Sequence, residues 1–268
     1  MAVTRRGYIF GAFLSSILSV LLIVVALASD SWVVSTATAP GQANANDINY
    51  GLFRGEIILR PLITPDVHTL YMTCAPELNA CAVSCKTDPE ARLTEVRALA
   101  RGFRPTADCL ATTEFDTTNP LSRAPVITFG LYVALIALLI IQLVLAVVAA
   151  GLAILNATRN PTEPIFGLPG CLYTNLGTIF VGVLVMLMFG IYWLSSGLNE
   201  HLALSYVALG IYTAASGLGF SYWLLLVALL CSVANVVLIQ VRAYLLERDP
   251  PPPTIKVENH SDGTIFLY

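Results

Sequence analysis

Four long apolar stretches dominate this 268-residue sequence and limit what it can fold into. They cover residues 8–28, 125–155, 172–198 and 219–241. A helix needs about 20 apolar residues to cross the hydrocarbon core of a bilayer, so each stretch is long enough to span one. None contains Lys, Arg, Asp or Glu, each of which would cost about 2.5–3.5 kcal/mol at a helix centre. The sequence therefore predicts four transmembrane helices.

The segments between these stretches are short, with one exception. We predict an all-α four-helix transmembrane bundle with a small extracellular β-sheet, whose polar segments are residues 1–7, 29–124, 156–171, 199–218 and 242–268. The charged fraction of 12% is about half the usual value, which excludes an ordinary soluble domain. Net charge is −3 and no basic stripe is present, so we expect a lipid bilayer and no nucleic acid as partner.

Basic residues near the ends of the spans predict how the chain crosses the membrane. They lie before the first span, between the second and third, and after the fourth: Arg5, Arg6, Arg159, Arg242 and Arg248. Segment 199–218 has no Lys or Arg. Because positive residues favour the cytosolic side, we expect a multi-pass protein of the plasma membrane or an endomembrane with both termini cytosolic.

The first span has an alternative interpretation as a cleaved signal peptide. It carries basic residues, an apolar stretch and the small-residue pattern Ala26-Leu27-Ala28. Its apolar run is longer than the 7–15 residues that are usual for a signal peptide, which favours a retained anchor.

Four cysteines lie in the long loop, which the predicted topology places in an oxidising compartment: Cys74, Cys81, Cys85 and Cys109. Disulfides persist there, and four cysteines allow three pairings among which the sequence does not choose. A zinc site would need closely spaced ligands, and His68 is the histidine of this loop. We therefore predict disulfides and no metal.

The same loop shows strand patterns followed by a helix pattern. Alternating or β-branched segments predict a small antiparallel sheet from residues 31–36, 48–53, 56–59 and 69–73. Asp88-Pro89-Glu90 is a typical helix start, and Gly102 a typical end. The stripe of Leu93, Val96 and Leu99 predicts packing on the sheet, with membrane-surface contact as the alternative.

The second loop also contains β-branched and aromatic stretches. Residues 204–207 and 211–213 predict an added strand pair that joins the outer sheet. The alternative is a fifth crossing, which would place the C-terminus outside, against the charges of Arg242 and Arg248.

Few side chains could carry chemistry. The spans contain the amides Gln142, Asn235 and Gln240, for which we predict interhelical hydrogen bonds, with pore lining as the alternative. No motif supplies a nucleophile with a base, and the three histidines lie in separate segments. We therefore expect a protein that is not an enzyme and has no cofactor.

A tryptophan just after the first span, a Gly-Leu-aromatic turn and loop cysteines resemble the claudin-like tetraspan superfamily. Trp32 and Gly51-Leu52-Phe53 carry this resemblance. The sequence departs from claudins at Glu56, where claudins have a cysteine, and its loop is nearly twice as long.

A segment around the same turn resembles the clarin family more closely. The matching residues are Tyr50, Gly51, Leu52, Phe53 and Gly55, together with Trp32; residues 161–170 and 220–223 are similar to clarin segments as well. Residues 60–120 do not fit the family pattern. The resemblance implies a claudin-like fold and a non-enzymatic protein that organises membrane, synaptic or cytoskeletal complexes in sensory cells.

The C-terminal residues Phe266, Leu267 and Tyr268 suit a PDZ-domain scaffold, which captures a terminal carboxylate and hydrophobic side chains. A tail without a partner, or recognition of Pro250–Pro253 by an SH3 or WW domain, are the alternatives.

The outer loop is a candidate surface for membrane-protein partners. Two further functions stay open: an auxiliary subunit of an ion channel or receptor, and a claudin-like junction component, which the altered cysteine pattern disfavours. A channel or transporter is disfavoured because no charge lies at membrane depth.

Overall fold

The computed structural model describes residues 2–38, 46–60, 65–105, 109, 115–118, 120, 124, 126–158, 163, 165–196 and 213–248. The helices within these residues are α1 (Ala2–Ala28), α2 (Pro89–Ala100), α3 (Phe129–Thr158), α4 (Leu168–Ser195) and α5 (Phe220–Arg248). All but α2 are long and apolar enough to cross a membrane, which confirms the prediction of four such helices.

The four long helices pack around a shared interior. Helix α1 contacts α3 and α5, and α4 contacts the same two helices from the other side. Small side chains such as Ala146, Ala149 and Ala228 are buried between them, and small residues allow helix backbones to approach closely. Larger interior side chains include Ile23, Leu139 and Leu225.

The ends of these helices differ by several residues from the predicted spans. Helix α3 starts at Phe129 because the preceding Ile127 pairs with Cys81 instead. Helix α4 starts earlier than predicted, with Gly167 as its N-cap and a proline in its first turn. Helix α5 continues to Arg248, since the residues after Val241 are good helix formers.

Six strands form one antiparallel sheet at the end of the helices where α1 stops. They are β1 (Val33–Thr38), β2 (Asn46–Tyr50), β3 (Arg54–Leu59), β4 (Asp66–Ala75), β5 (Ala80–Ser84) and β8 (Thr213–Leu218), in the order β5-β4-β3-β2-β1-β8. A separate two-residue pair joins β6 (Arg104–Pro105) to β7 (Phe115–Asp116). We call this end of the molecule the sheet end and the opposite one the far end.

The strand predictions are largely confirmed, with three differences. The strand predicted at 48–53 ends at Tyr50, because Gly51–Phe53 forms a turn into β3. Strand β5 was not expected from the sequence. The second loop does add a strand to β1, but this strand is Thr213–Leu218 and overlaps the segment predicted at 211–213 only at Thr213. Residues 204–207 and 211–212 lie outside the described residues.

Helix α2 confirms its predicted start and docking. The Asp88 side chain accepts a hydrogen bond from the Ala91 N–H at 2.9 Å, and the chain leaves the helix through Gly102 at φ 83°. Val96 and Leu99 are fully buried where α2 contacts β4 and β5. The apolar stripe therefore packs on the sheet, and these two side chains are not available to a membrane surface.

Candidate functional site

Trp32 is the residue on which the sheet and the helices converge. Its side chain is 1% exposed, donates from Nε1 to the Ala26 carbonyl oxygen at 2.6 Å, and packs edge-on against Phe189 of α4 with ring centroids 5.2 Å apart. Its backbone N–H donates to the Tyr50 carbonyl, and its carbonyl accepts from the Gly219 N–H. One residue thus links α1, α4, β2 and the start of α5.

The turn after β2 is fitted against the ends of two helices. A Cβ atom at Gly51 would collide with the Ser29 carbonyl oxygen, so only glycine fits here without a shift of the backbone. The Gly51 N–H donates to the Arg54 carbonyl at 2.7 Å, and Tyr132 of α3 donates from its hydroxyl to the Leu52 carbonyl at 2.8 Å. The turn is therefore held between α1 and α3.

The remaining residues of the clarin-like segment divide between the interior and the surface. Tyr50 is 4% exposed, and burial raises the pKa of its phenol, with the neighbouring Tyr192 acting in the same direction. A Cβ atom at Gly55 would collide with the Asn49 carbonyl oxygen. Phe53, in contrast, is 49% exposed, and its carbonyl accepts a hydrogen bond from the Met72 N–H.

A second set of contacts joins the start of α5 to the end of α1. The hydroxyl groups of Ser29 and Ser221 are hydrogen-bonded to each other, and the Ser221 N–H donates to the Ser31 carbonyl at 3.2 Å. Gly219 also packs against the Ser31 carbonyl oxygen without room for a Cβ atom. Together with Trp32 and the Gly51–Arg54 turn, these residues form what we call the junction.

The four loop cysteines pair as Cys74–Cys81 and Cys85–Cys109. The first bridge joins directly opposed positions of β4 and β5. The second connects the end of β5 to a residue 24 positions further along the chain. The prediction of disulfides is confirmed, and the structure selects one of the three pairings. Among the described residues, no group of three His, Cys, Asp or Glu side chains is arranged to hold a metal.

Beneath α2 lies a buried polar cluster that sequence reasoning missed: Ser84, Lys86 and Glu95, each at most 1% exposed. Glu95 accepts a hydrogen bond from the Ser84 hydroxyl. Burial raises the pKa of Glu95, although the Ser84 hydrogen bond and the charge of Lys86 act in the opposite direction. The signal in the sequence was the position of Glu95 beside Val96, on the side of α2 that was expected to be apolar.

Two arginines on the exposed side of α2 contact neighbouring residues of the loop domain. Arg92 lies over the ring of Tyr71 at 4.7 Å and donates to the carbonyl of Thr87 at 2.9 Å. Arg97 pairs with Glu77 at 2.6 Å. The backbone hydrogen bond of Glu77 and this pairing lower the pKa of the Glu77 carboxyl.

The interior of the helices contains a hydrogen-bonded polar layer. Asn235 donates to the Ser16 hydroxyl at 2.9 Å and to the Asn175 side-chain oxygen at 3.2 Å, joining α5 to α1 and α4. The interhelical role predicted for Asn235 is confirmed. Gln142 is 1% exposed, and its side-chain oxygen has no hydrogen-bond partner within the part of the chain that the structure describes. Gln240 is exposed on the surface of α5, which does not fit the predicted interhelical role.

The residues proposed for PDZ recognition, Phe266, Leu267 and Tyr268, lie outside the described residues. No protein-family model matches the sequence, and no curated protein matches it at a significant level.

Proposed function

We propose that this chain is a clarin-like tetraspan membrane protein of the claudin-like fold, which scaffolds membrane, synaptic or cytoskeletal complexes without catalysing a reaction. The sheet would lie outside the cytosol, and both termini in the cytosol. Sensory cells are the expected setting, by the resemblance to clarins.

The observation that carries this proposal is the junction. Trp32 and Gly51 are well separated in the chain, yet both contact the end of α1. Contacts of this kind need particular residue types, since a Cβ atom at Gly51 or a smaller ring at Trp32 would break them. The resemblance therefore rests on residues that hold the sheet on the helices, which supports shared architecture over chance similarity.

The hydrogen-bonding pattern of the junction and of the helical interior supports a role in assembly. The buried polar groups at the junction and in the helical interior mostly bond to backbone or to one another, as groups that hold a structure together do. Such an arrangement suits a protein that presents its sheet to partners on one side of the membrane.

Affinity purification of the full chain from native membranes tests the proposal. Scaffold and cytoskeletal proteins in the eluate would support it. A channel or receptor recovered in fixed stoichiometry would favour the auxiliary-subunit alternative instead. Proteins of cell–cell junctions in the eluate would favour the claudin-like alternative.

Deletion of Phe266–Tyr268 tests the contribution of the tail separately. We expect the deleted chain to reach the membrane but to lose the PDZ-domain proteins from the eluate, because these domains bind the terminal carboxylate and the hydrophobic last residue. Unchanged partners and localisation would contradict the PDZ proposal while leaving the tetraspan proposal in place.

A further inference from the structure

The turn that leads into α4 is held rigidly by both neighbouring helices. In this turn, described at Glu163 and at Ile165–Gly167, the Gly167 N–H donates a hydrogen bond to the Glu163 carbonyl at 3.0 Å. From α3, the Asn156 side chain donates to the Phe166 carbonyl at 2.7 Å, and Asn156 is itself only 8% exposed. From α4, Gly170 lies directly against the Ile165 carbonyl oxygen, with no room for a Cβ atom.

The two apolar side chains of this turn nevertheless point away from the protein. Ile165 is 73% exposed and Phe166 is 49% exposed. Because contacts with α3 and α4 hold the backbone of this turn, they set the direction in which both side chains project. Apolar side chains in such an arrangement are favoured only where the surroundings are not water.

The turn continues an exposed apolar stripe on α4. The stripe recurs every three or four residues, as one face of a helix does, and consists of Tyr173, Leu176, Phe180, Val183, Leu187, Ile191 and Leu194. Gly170 precedes Tyr173 by three residues and so lies on the same face. The backbone of Ile165 covers Gly170, so the turn extends the stripe beyond Tyr173 towards the far end.

The depth of the turn follows from the helix rise. On α5, the exposed aromatic residues Trp223 and Tyr244 are 21 positions apart, which corresponds to about 32 Å at 1.5 Å per residue. This matches a hydrocarbon core of about 30 Å with aromatic residues at both boundaries. On α4, Tyr173 and Leu194 have the same separation. Ile165 lies at the level of Gly170, about 5 Å beyond Tyr173, within the headgroup layer of about 5–8 Å on each side.

Resting on the membrane placement proposed above, we propose that Ile165 and Phe166 form a membrane-interface anchor, in which both side chains insert into the bilayer leaflet at the far end of the molecule. The occupant of this surface is lipid, because the turn is continuous with the apolar stripe of α4 and lies at the depth of the headgroups. Asn156 and Gly170 act as positioning residues that present the two side chains to the bilayer.

Spin labelling of the full chain in phosphatidylcholine nanodiscs tests the anchor. Cys171 and Cys231, the two free cysteines, are first replaced by alanine so that a single introduced cysteine carries the nitroxide. Phe166→Cys reports on the anchor, and Glu163→Cys, an exposed residue of the same turn, is the matched control. We expect the ratio of oxygen to nickel-chelate accessibility to be severalfold higher at residue 166 than at residue 163, because oxygen concentrates in lipid and the chelate in water.

Equal ratios at the two sites would overturn the proposal. Spin–spin broadening at residue 166 would overturn it as well, because the surface would then be covered by a second copy of the chain. A Phe166→Trp variant gives an independent measurement, since its fluorescence should be quenched by lipids brominated near the headgroup more strongly than that of Glu163→Trp. Asn156→Ala should lower the accessibility ratio at residue 166 by releasing the turn.

Discussion

At the scale of single residues, the junction needs glycine at positions where a Cβ atom would collide with a neighbouring backbone, as well as the large side chain of Trp32. Gly51→Ala would force a methyl group onto the Ser29 carbonyl oxygen, a backbone atom that cannot move without shifting the end of α1. We expect a loss of about 1–3 kcal/mol in the free energy of unfolding, as for other overpacked interiors. Denaturation of the purified chain in nanodiscs measures this loss.

Gly217→Ala is the matched control for that measurement. Gly217 lies in β8, and a Cβ atom there would meet no atom within 4 Å. We expect a change within about 0.5 kcal/mol, as for surface substitutions in general. Equal losses for the two variants would contradict the role that we assign to Gly51.

The buried carboxyl of Glu95 predicts a pH dependence with a defined sign. Burial raises its pKa in the folded protein above the ordinary value of 4.5, so the folded state holds the proton more tightly than the unfolded state does. The free energy of unfolding should therefore increase as the pH falls through the raised pKa towards 4.5. This contribution is lost as the pH rises through the raised pKa. In Glu95→Gln, which cannot ionise, this contribution is absent.

The melting temperatures of wild type and Glu95→Gln, compared at each pH, isolate this effect from other titrating groups. We expect the melting temperature of the wild type to rise relative to that of the variant as the pH falls. A relative decrease on acidification would show that the charge of Lys86 outweighs burial.

At the scale of elements, the two disulfides stabilise different parts of the loop. Cys85–Cys109 closes a longer segment than Cys74–Cys81, with separations of 24 and 7 residues. In the chain-entropy model their removal costs about 3.5 and about 2.5 kcal/mol respectively. Paired Cys→Ala variants and the free energy of unfolding of each compare the two. A larger loss for the shorter bridge would contradict this order.

Sequence patterns predicted the elements better than their partners. The four apolar helices, α2 and most strands follow from hydrophobic periodicity and from local start and stop signals, which depend on residues close together in the chain. The second loop was predicted to join the sheet, but its partner β1 and its register, with Thr36 opposite Ala215, were not, because both depend on how α5 packs on α1. Strand β5 was hidden for a related reason: all five of its residues are buried, so it lacks the alternation typical of a strand with one exposed face.

The candidate site was predictable only in part, for the same physical reason. Trp32 and the Gly51–Phe53 turn were selected by resemblance, whereas their contacts with Ala26, Ser29 and Tyr132 depend on the packing of three helices. The cysteines were predicted as disulfides, but their pairing depends on the register of β4 and β5.

At the scale of the whole molecule, the sheet and the helices share one continuous core. Buried side chains run from Val185 and Phe189 of α4 through Trp32 to Ile57 of the sheet and Leu99 of α2. The loop domain is therefore not an independent unit on a tether. Its orientation is fixed by the helices, of which α1 begins and α5 ends at the far end.

Glycosylation mapping tests most directly whether the sheet lies on one side of a membrane and both chain ends on the other. Val67→Asn places an asparagine two positions before Thr69 and so creates a glycosylation acceptor motif at an exposed position of β4. The native motifs at Asn156 and Asn259 lie on the predicted cytosolic side. We expect the wild type to carry no glycan and the variant to gain one that endoglycosidase removes and that an added Thr69→Ala change prevents. A glycosylated wild type, or a variant that stays unmodified, would contradict this arrangement.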